Sequence, residues 1–172
     1  MWTLKKKFNY ILYKAFASWL LESRRSKLSK RIRYHFAKRV CALGRDVNIE
    51  RGAYFTPELT VGDRSGVGVR CEIYGPVTIG RDVMMGPEVV IYTCGHEFSR
   101  TDIPIREQGD SPVEPVTIGD DCWIGRRAMI MPGVSVGKGC VIGAGAVVTR
   151  DIPDFSVAGG VPARVLKTRI RE

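Results

Sequence analysis

The sequence predicts an all-β chain: a parallel β-solenoid of about five coils with an N-terminal helical segment and a protruding loop. Three observations carry this. A large apolar residue recurs every six positions, at Leu43, Ile49, Phe55, Val61, Val67, Ile73, Ile79, Met85 and Ile91, and again at Ile118, Ile124, Ile130, Val136, Ile142 and Val148. A small or β-branched residue stands four after most anchors, as at Val47, Ala53, Ser65, Cys71, Cys122, Ala128 and Cys140. Gly often follows the anchor directly, as at Gly62, Gly86, Gly125 and Gly143. A six-residue period fits neither a helix nor a simple alternating strand. It fits a short flat strand and a turn, repeated, with the anchor and the residue four later both facing inward. Gly is expected to take the turn, where positive φ is cheap.

Each element follows in order. In residues 1–42, Phe8, Ile11, Leu12, Ala15, Phe16, Trp19 and Leu20 keep helical spacing, and Leu28, Ile32, Phe36 and Val40 form a second run among Arg and Lys. This segment is expected to cap the first coil. Residues 1–40 hold twelve of the 27 Lys/Arg and only one acid, Glu22, whereas the rest of the chain is nearly neutral. A sharper reading therefore adds weak contact with an anionic membrane. Charge confined to one arm argues against nucleic acid as partner. Lys5-Lys6-Lys7 before an apolar run resembles a signal peptide, but the uncharged stretch Phe8 to Tyr13 is shorter than the roughly 7–15 residues of such a core.

The domain at 43–172 is expected to be the solenoid proper. Residues 43–96 supply three coils and 112–153 just over two more. Pro76-Val77-Thr78-Ile79-Gly80 and Pro115-Val116-Thr117-Ile118-Gly119 repeat the same five letters and fix the phase of the second block. Between them, residues 97–111 have no six-residue phase. A loop that leaves a regular solenoid is usually functional. Phe98, Ile103 and Ile105 suggest that it packs on something, and His96 stands at its root. Residues 154–172 are expected to close the open end and to finish in a basic tail.

The five Cys are scattered and no CxxC occurs, which argues against a zinc framework and suits a reducing, cytoplasmic setting. Cys71, Cys122 and Cys140 fall on the inward small position and read as buried packing residues. Outside the N-terminal arm the only histidine is His96. Near neutral pH an imidazole can take the proton of a hydroxyl nucleophile, and a positioned base contributes roughly 10²–10⁴-fold.

Gly95-His96, Asp121-Cys122-Trp123-Ile124-Gly125, Pro132-Gly133-Val134, Ile142-Gly143-Ala144-Gly145-Ala146 and Ala158-Gly159-Gly160-Val161-Pro162-Ala163-Arg164 resemble the hexapeptide-repeat acyltransferases, in the O-acetyltransferase branch that includes galactoside, maltose and capsule or exopolysaccharide acetyltransferases. The resemblance implies a left-handed parallel β-helix and a homotrimer with active sites between subunits. It implies an acetyl-CoA-dependent enzyme, without a metal, that acetylates a hydroxyl of a sugar or lipid-linked saccharide, with His96 as general base. Trp123, next to inward-facing Cys122, is expected to point outward and line the cleft. Ala144, Thr149, Arg150, Arg164 and Lys167 match coenzyme A positions. Arg126 stands where relatives often carry a small polar residue, leaving its backbone N–H to meet the thioester oxygen. Ser65-Gly66-Val67-Gly68 departs from the acceptor-contacting pattern of the galactoside enzymes, so a simple galactoside is not the expected acceptor. Three other readings compete with this one. A solenoid carbonic anhydrase needs three His per site, and a non-enzymatic scaffold leaves the loop unexplained. A serine acetyltransferase-like enzyme would share base and cofactor but carries a larger helical domain.

Overall fold

In a computed structural model describing residues 3–170, the chain forms a triangular β-solenoid closed at both ends. Its first side stacks β1 (Ala42–Leu43), β4 (Thr60–Val61), β7 (Val77–Ile79), β10 (Val116–Ile118) and β13 (Ser135–Val136). The second stacks β2 (Asn48–Ile49), β5 (Gly66–Val67), β8 (Met84–Met85), β11 (Trp123–Ile124) and β14 (Val141–Ile142), continued by β16 (Ser156–Gly160) and β17 (Ala163–Thr168). The third stacks β3 (Tyr54–Phe55), β6 (Glu72–Ile73), β9 (Val90–Ile91), β12 (Met129–Ile130) and β15 (Val147–Val148). All pairings are parallel except that of β16 with β17. Five complete coils are followed by part of a sixth, slightly more than the repeat count predicts, because Ile152 bridges Val136 and β16 stacks on β14 beyond the last clear hexad.

The hexad becomes a core in the way the sequence suggests. Ile73, Ile79, Ile124, Ile130 and Ile142 are all buried, as are the small partners Val47, Ala53, Cys71, Cys122 and Ala146. Each fully buried aliphatic contributes roughly 1.5–3 kcal/mol. The inward thiols of Cys71, Cys122 and Cys140 donate to carbonyls of Gly86, Gly137 and Pro153 in the following turn. Burial pushes the Cys71 thiol up to about 12 and that of Cys122 up to about 11, so both are inert packing groups.

The role expected of the glycines that directly follow the anchors is corrected. At most corners the left-handed residue lies three after the anchor; it is Gly at Gly52, Gly133, Gly139 and Gly145 but charged at Asp46, Arg64, Asp82, Asp121 and Arg127. The Gly that follows the anchor serves close approach between coils. A Cβ on Gly86 would lie 2.7 Å from the Arg126 backbone N, and one on Gly125 would lie 2.5 Å from that of Ala144.

At the N-terminal end, α1 (Leu4–Ala15), a 3₁₀ turn (Ala17–Trp19) and α2 (Lys27–Ala37) cover the first coil. Thr3 and Ser26 cap the two helices by accepting from Lys6 N and Ser29 N. Tyr13 is buried against Phe55 and donates to Ala53 O at 3.0 Å. Arg33 is fully buried. It donates to Ile49 O, Leu20 O, Leu21 O and Ser23 Oγ and pairs with Glu50 at 3.3 Å, tying α2 and the segment before it to the second side. No described helix is long and apolar enough to cross a membrane.

At the other end, the expected basic tail is a strand. β17 folds back on β16, and Val157 lies opposite Lys167. The strand supplies β16 with a partner on the side the solenoid leaves open.

Candidate active site

The 97–111 loop leaves the corner between the third and first sides, after β9, and returns into β10. Its two ends form a short stalk: Glu114 N donates to Thr93 O, Ser111 N to Gly95 O and Glu97 N to Gly109 O, while Gly95 N donates to Ser111 Oγ. β10 pairs with β7 as though the loop were absent, with Thr117 opposite Thr78. Beyond the stalk, Gln108 holds the loop by donating to Arg100 O and Ile103 O and accepting from Arg100 N. The packing expected of this loop is only partial: Ile103 is half-buried, but Phe98 and Ile105 face solvent on the single chain.

His96 sits on the stalk, bridged to Asp110. Its Nδ1 lies 3.0 Å from Asp110 Oδ1, and the side chain is 75% exposed. The carboxylate that faces the imidazole is therefore Asp110, and not Glu97 as chain proximity suggests. A carboxylate beside Nδ1 favours the tautomer protonated there, whose acceptor is Nε2. No sequence motif marks Asp110, because its position depends on the pairing of the stalk.

Trp123 projects outward from β11 and is 53% exposed. Met84 and Val141 flank it in register, and Met84 is exposed as well. This apolar strip lies on the second side of the prism. His96 leaves from the corner between the other two. One chain does not bring the two residues together.

The corner between the second and third sides carries Arg126 and Ala144 in successive coils, on strands about 4.8 Å apart. Neither backbone N–H donates to a group among the described residues. At the corner between the first and second sides the equivalent N–H groups of Arg45, Arg81 and Lys138 are taken by carboxylates of Asp63, Asp120 and Asp154. The Arg126–Ala144 corner thus presents two open amide donors to a ligand with amide or carbonyl oxygens. The Arg126 guanidinium does not point into this role. It pairs with Glu88 at 3.1 Å, beside Arg127 at 2.6 Å. These two arginines hold the Glu88 carboxyl below the usual carboxylate range.

Thr149 and Arg150 follow β15, and β17 lies against that strand. This places Arg164 and Lys167 at the same end of the solenoid as Thr149 and Arg150. Arg150, Arg164 and Lys167 form no ion pair among the described residues, so the three cations are open to an anionic ligand. No group of three or more metal-ligating side chains occurs among the described residues.

Comparison with known proteins agrees with this architecture. The family model described as hexapeptide repeat of succinyl-transferase matches residues 58–92 and 115–150. Galactoside O-acetyltransferase of Escherichia coli (strain K12) is 38% identical over 124 residues, which are 72% of this chain and 55% of that protein. The chain spans about half the length of the curated relatives it matches. The crystal structure of a maltose O-acetyltransferase from Clostridium difficile 630 superposes with a TM-score of 0.79 at 31% identity, covering 98% of this chain and 87% of that one. A galactoside acetyltransferase solved in complex with coenzyme A gives 0.80 at 30% identity, covering 95% and 80%. With the hexapeptide repeat matched in both blocks and the fold shared along nearly the whole chain at 30–31% identity, this chain belongs to the hexapeptide-repeat acetyltransferases.

Proposed function

We propose that the chain is an acetyl-CoA-dependent O-acetyltransferase that acetylates a hydroxyl of a sugar or lipid-linked saccharide by direct transfer. The observation that carries this reading is the His96–Asp110 pair, which leaves Nε2 exposed at the root of the loop. The acceptor oxygen attacks the acetyl carbon while its proton passes to His96 Nε2. The carbonyl oxygen takes up the negative charge and is met by a backbone N–H at the Arg126–Ala144 corner. When the C–S bond breaks, the thiolate takes the proton from the imidazolium and leaves as the free thiol. Atoms and charge balance without a metal. The open amide donors suit the pantetheine arm, and Arg150, Arg164 and Lys167 suit the phosphates. The relative solved with coenzyme A supports that assignment.

The separation of His96 from Trp123 on one chain supports a homotrimer whose clefts combine the histidine of one subunit with the tryptophan strip of the next. The exposed Met84 and Trp123 would otherwise leave an apolar strip in water. Five free cysteines fit a cytoplasmic location. The direct test is release of coenzyme A thiol from acetyl-CoA across a panel of saccharide acceptors, together with sedimentation of the active species. Thiol release that no hydroxyl acceptor stimulates would refute the activity, and a stable active monomer would refute the shared cleft.

A further inference from the structure

Helix α1 caps the solenoid with the face opposite to the one its sequence advertises. Asn9 and Tyr13 are its buried residues. At 3.6 residues per turn, Leu4, Phe8, Ile11 and Ala15 line the opposite face, and all four are exposed, Phe8 to 61% and Ile11 to 62%. Lys5 borders this stripe on one side and Lys7 and Lys14 border it on the other. Phe16, Trp19 and Leu21 continue the exposed apolar surface past the helix. On α2, Ser29, Arg33 and Ala37 face the body, while Lys27, Arg31 and Lys38 face out. A cavity of about 740 Å³ beside α2 is lined by Lys27, Lys30, Arg31 and Arg45, with Asp46 the one carboxylate in its lining.

We infer that the N-terminal cap is a membrane-docking element, with the Leu4–Phe8–Ile11 stripe lying in the interfacial layer of an anionic bilayer. An outward apolar stripe bordered by lysines matches the geometry of helices that lie in that layer, and the lysine stems allow the charges to reach the headgroups. Charge selects the occupant. In residues 1–40 the only acid is Glu22, and Lys5, Lys7, Lys27 and Arg31 form no ion pair among the described residues. A second copy docked face to face would set these cations against each other, whereas acidic headgroups complement them. With α1 only 12 residues long, the element lies on the bilayer and does not span it.

The test is co-sedimentation of the full-length chain with phosphatidylcholine vesicles, with or without about one third phosphatidylglycerol, at low and physiological salt. We expect binding to the anionic vesicles only. It should weaken as the Debye length shrinks from about 30 Å at 0.01 M salt to about 8 Å at 0.15 M. The double variant Phe8→Ser/Ile11→Ser keeps every charge, so it separates docking from mere adsorption of a basic protein. It should lose at least about tenfold in partitioning while keeping its oligomeric state and acetyl-CoA binding. Lys5→Glu/Lys7→Glu should lose at least as much and serves if the serine variant does not fold. Absence of binding to anionic vesicles, equal binding to neutral ones, or full binding by a folded variant would overturn the inference. Dissociation of the oligomer by Phe8→Ser/Ile11→Ser would overturn it too, by showing the stripe to be a subunit contact.

Discussion

Asp110 Oδ1 stands 3.0 Å from His96 Nδ1, across the two strands of the stalk. The contact favours one tautomer, although both side chains stay open to solvent. His96→Ala is expected to lower kcat by about 10²–10⁴ while acetyl-CoA binding survives. Asp110→Asn should lower kcat by about tenfold or more, because an amide can stabilise the wrong tautomer. Steady-state kinetics with the identified acceptor checks both. Near-normal turnover by His96→Ala would remove the histidine from the mechanism.

Cys94 lies two residues before His96 and is half-buried and free. Direct transfer predicts that Cys94→Ala stays active and that no acetylated enzyme accumulates when acceptor is withheld. A covalent carrier predicts the opposite. Intact-protein mass spectrometry after mixing with acetyl-CoA decides between them.

Arg150, Arg164 and Lys167 are expected to bind the phosphates and leave the reacting centre alone. Replacing each by Ala should raise KM for acetyl-CoA by about three- to tenfold with little change in kcat, since exposed charge pairs are worth little individually. The wild type should prefer acetyl-CoA over its analogue without the 3′-phosphate. The triple variant should lose that preference.

Glu50 links the cap to pH. Burial opposes its charge, but hydrogen bonds from Ser23 and Asn48 and the nearby Arg33 guanidinium outweigh burial and hold its carboxyl below the usual range. A pKa lowered on folding stabilises the native state above the unfolded value of about 4.3, and that contribution disappears as pH falls through the lowered folded value. Glu50→Gln should cost about 1–3 kcal/mol at neutral pH. The gap to wild type should narrow below pH of about 4, as thermal melts at two pH values would record.

The coil core was legible residue by residue because a hexad is read locally: Ile124 faces inward for the same reason as Ile142 one coil later. His96 was legible because the phase breaks beside it. Asp110 was not, because only the closed stalk brings it across to the imidazole. The direction of α1 was left open, between a cap alone and a cap that also meets a membrane. Periodicity locates an apolar stripe but does not say which way it points, and the usual inward assignment is reversed by Tyr13 and its bond to Ala53. The glycines directly after the anchors were located correctly but assigned the wrong duty, since close approach between coils is a property of the stack and not of the hexad.

The pairing of Thr117 with Thr78 has a corollary. The segment from Thr93 to Glu114 behaves as a splice in an otherwise continuous thread: the coil above registers on the coil below whatever the length of the detour. Lengthening, shortening or exchanging the tip beyond Gly109 and Glu97 leaves the ladder of the solenoid untouched. A change of loop tip can thus alter what surrounds His96 while the stalk and the scaffold beneath it stay as they are.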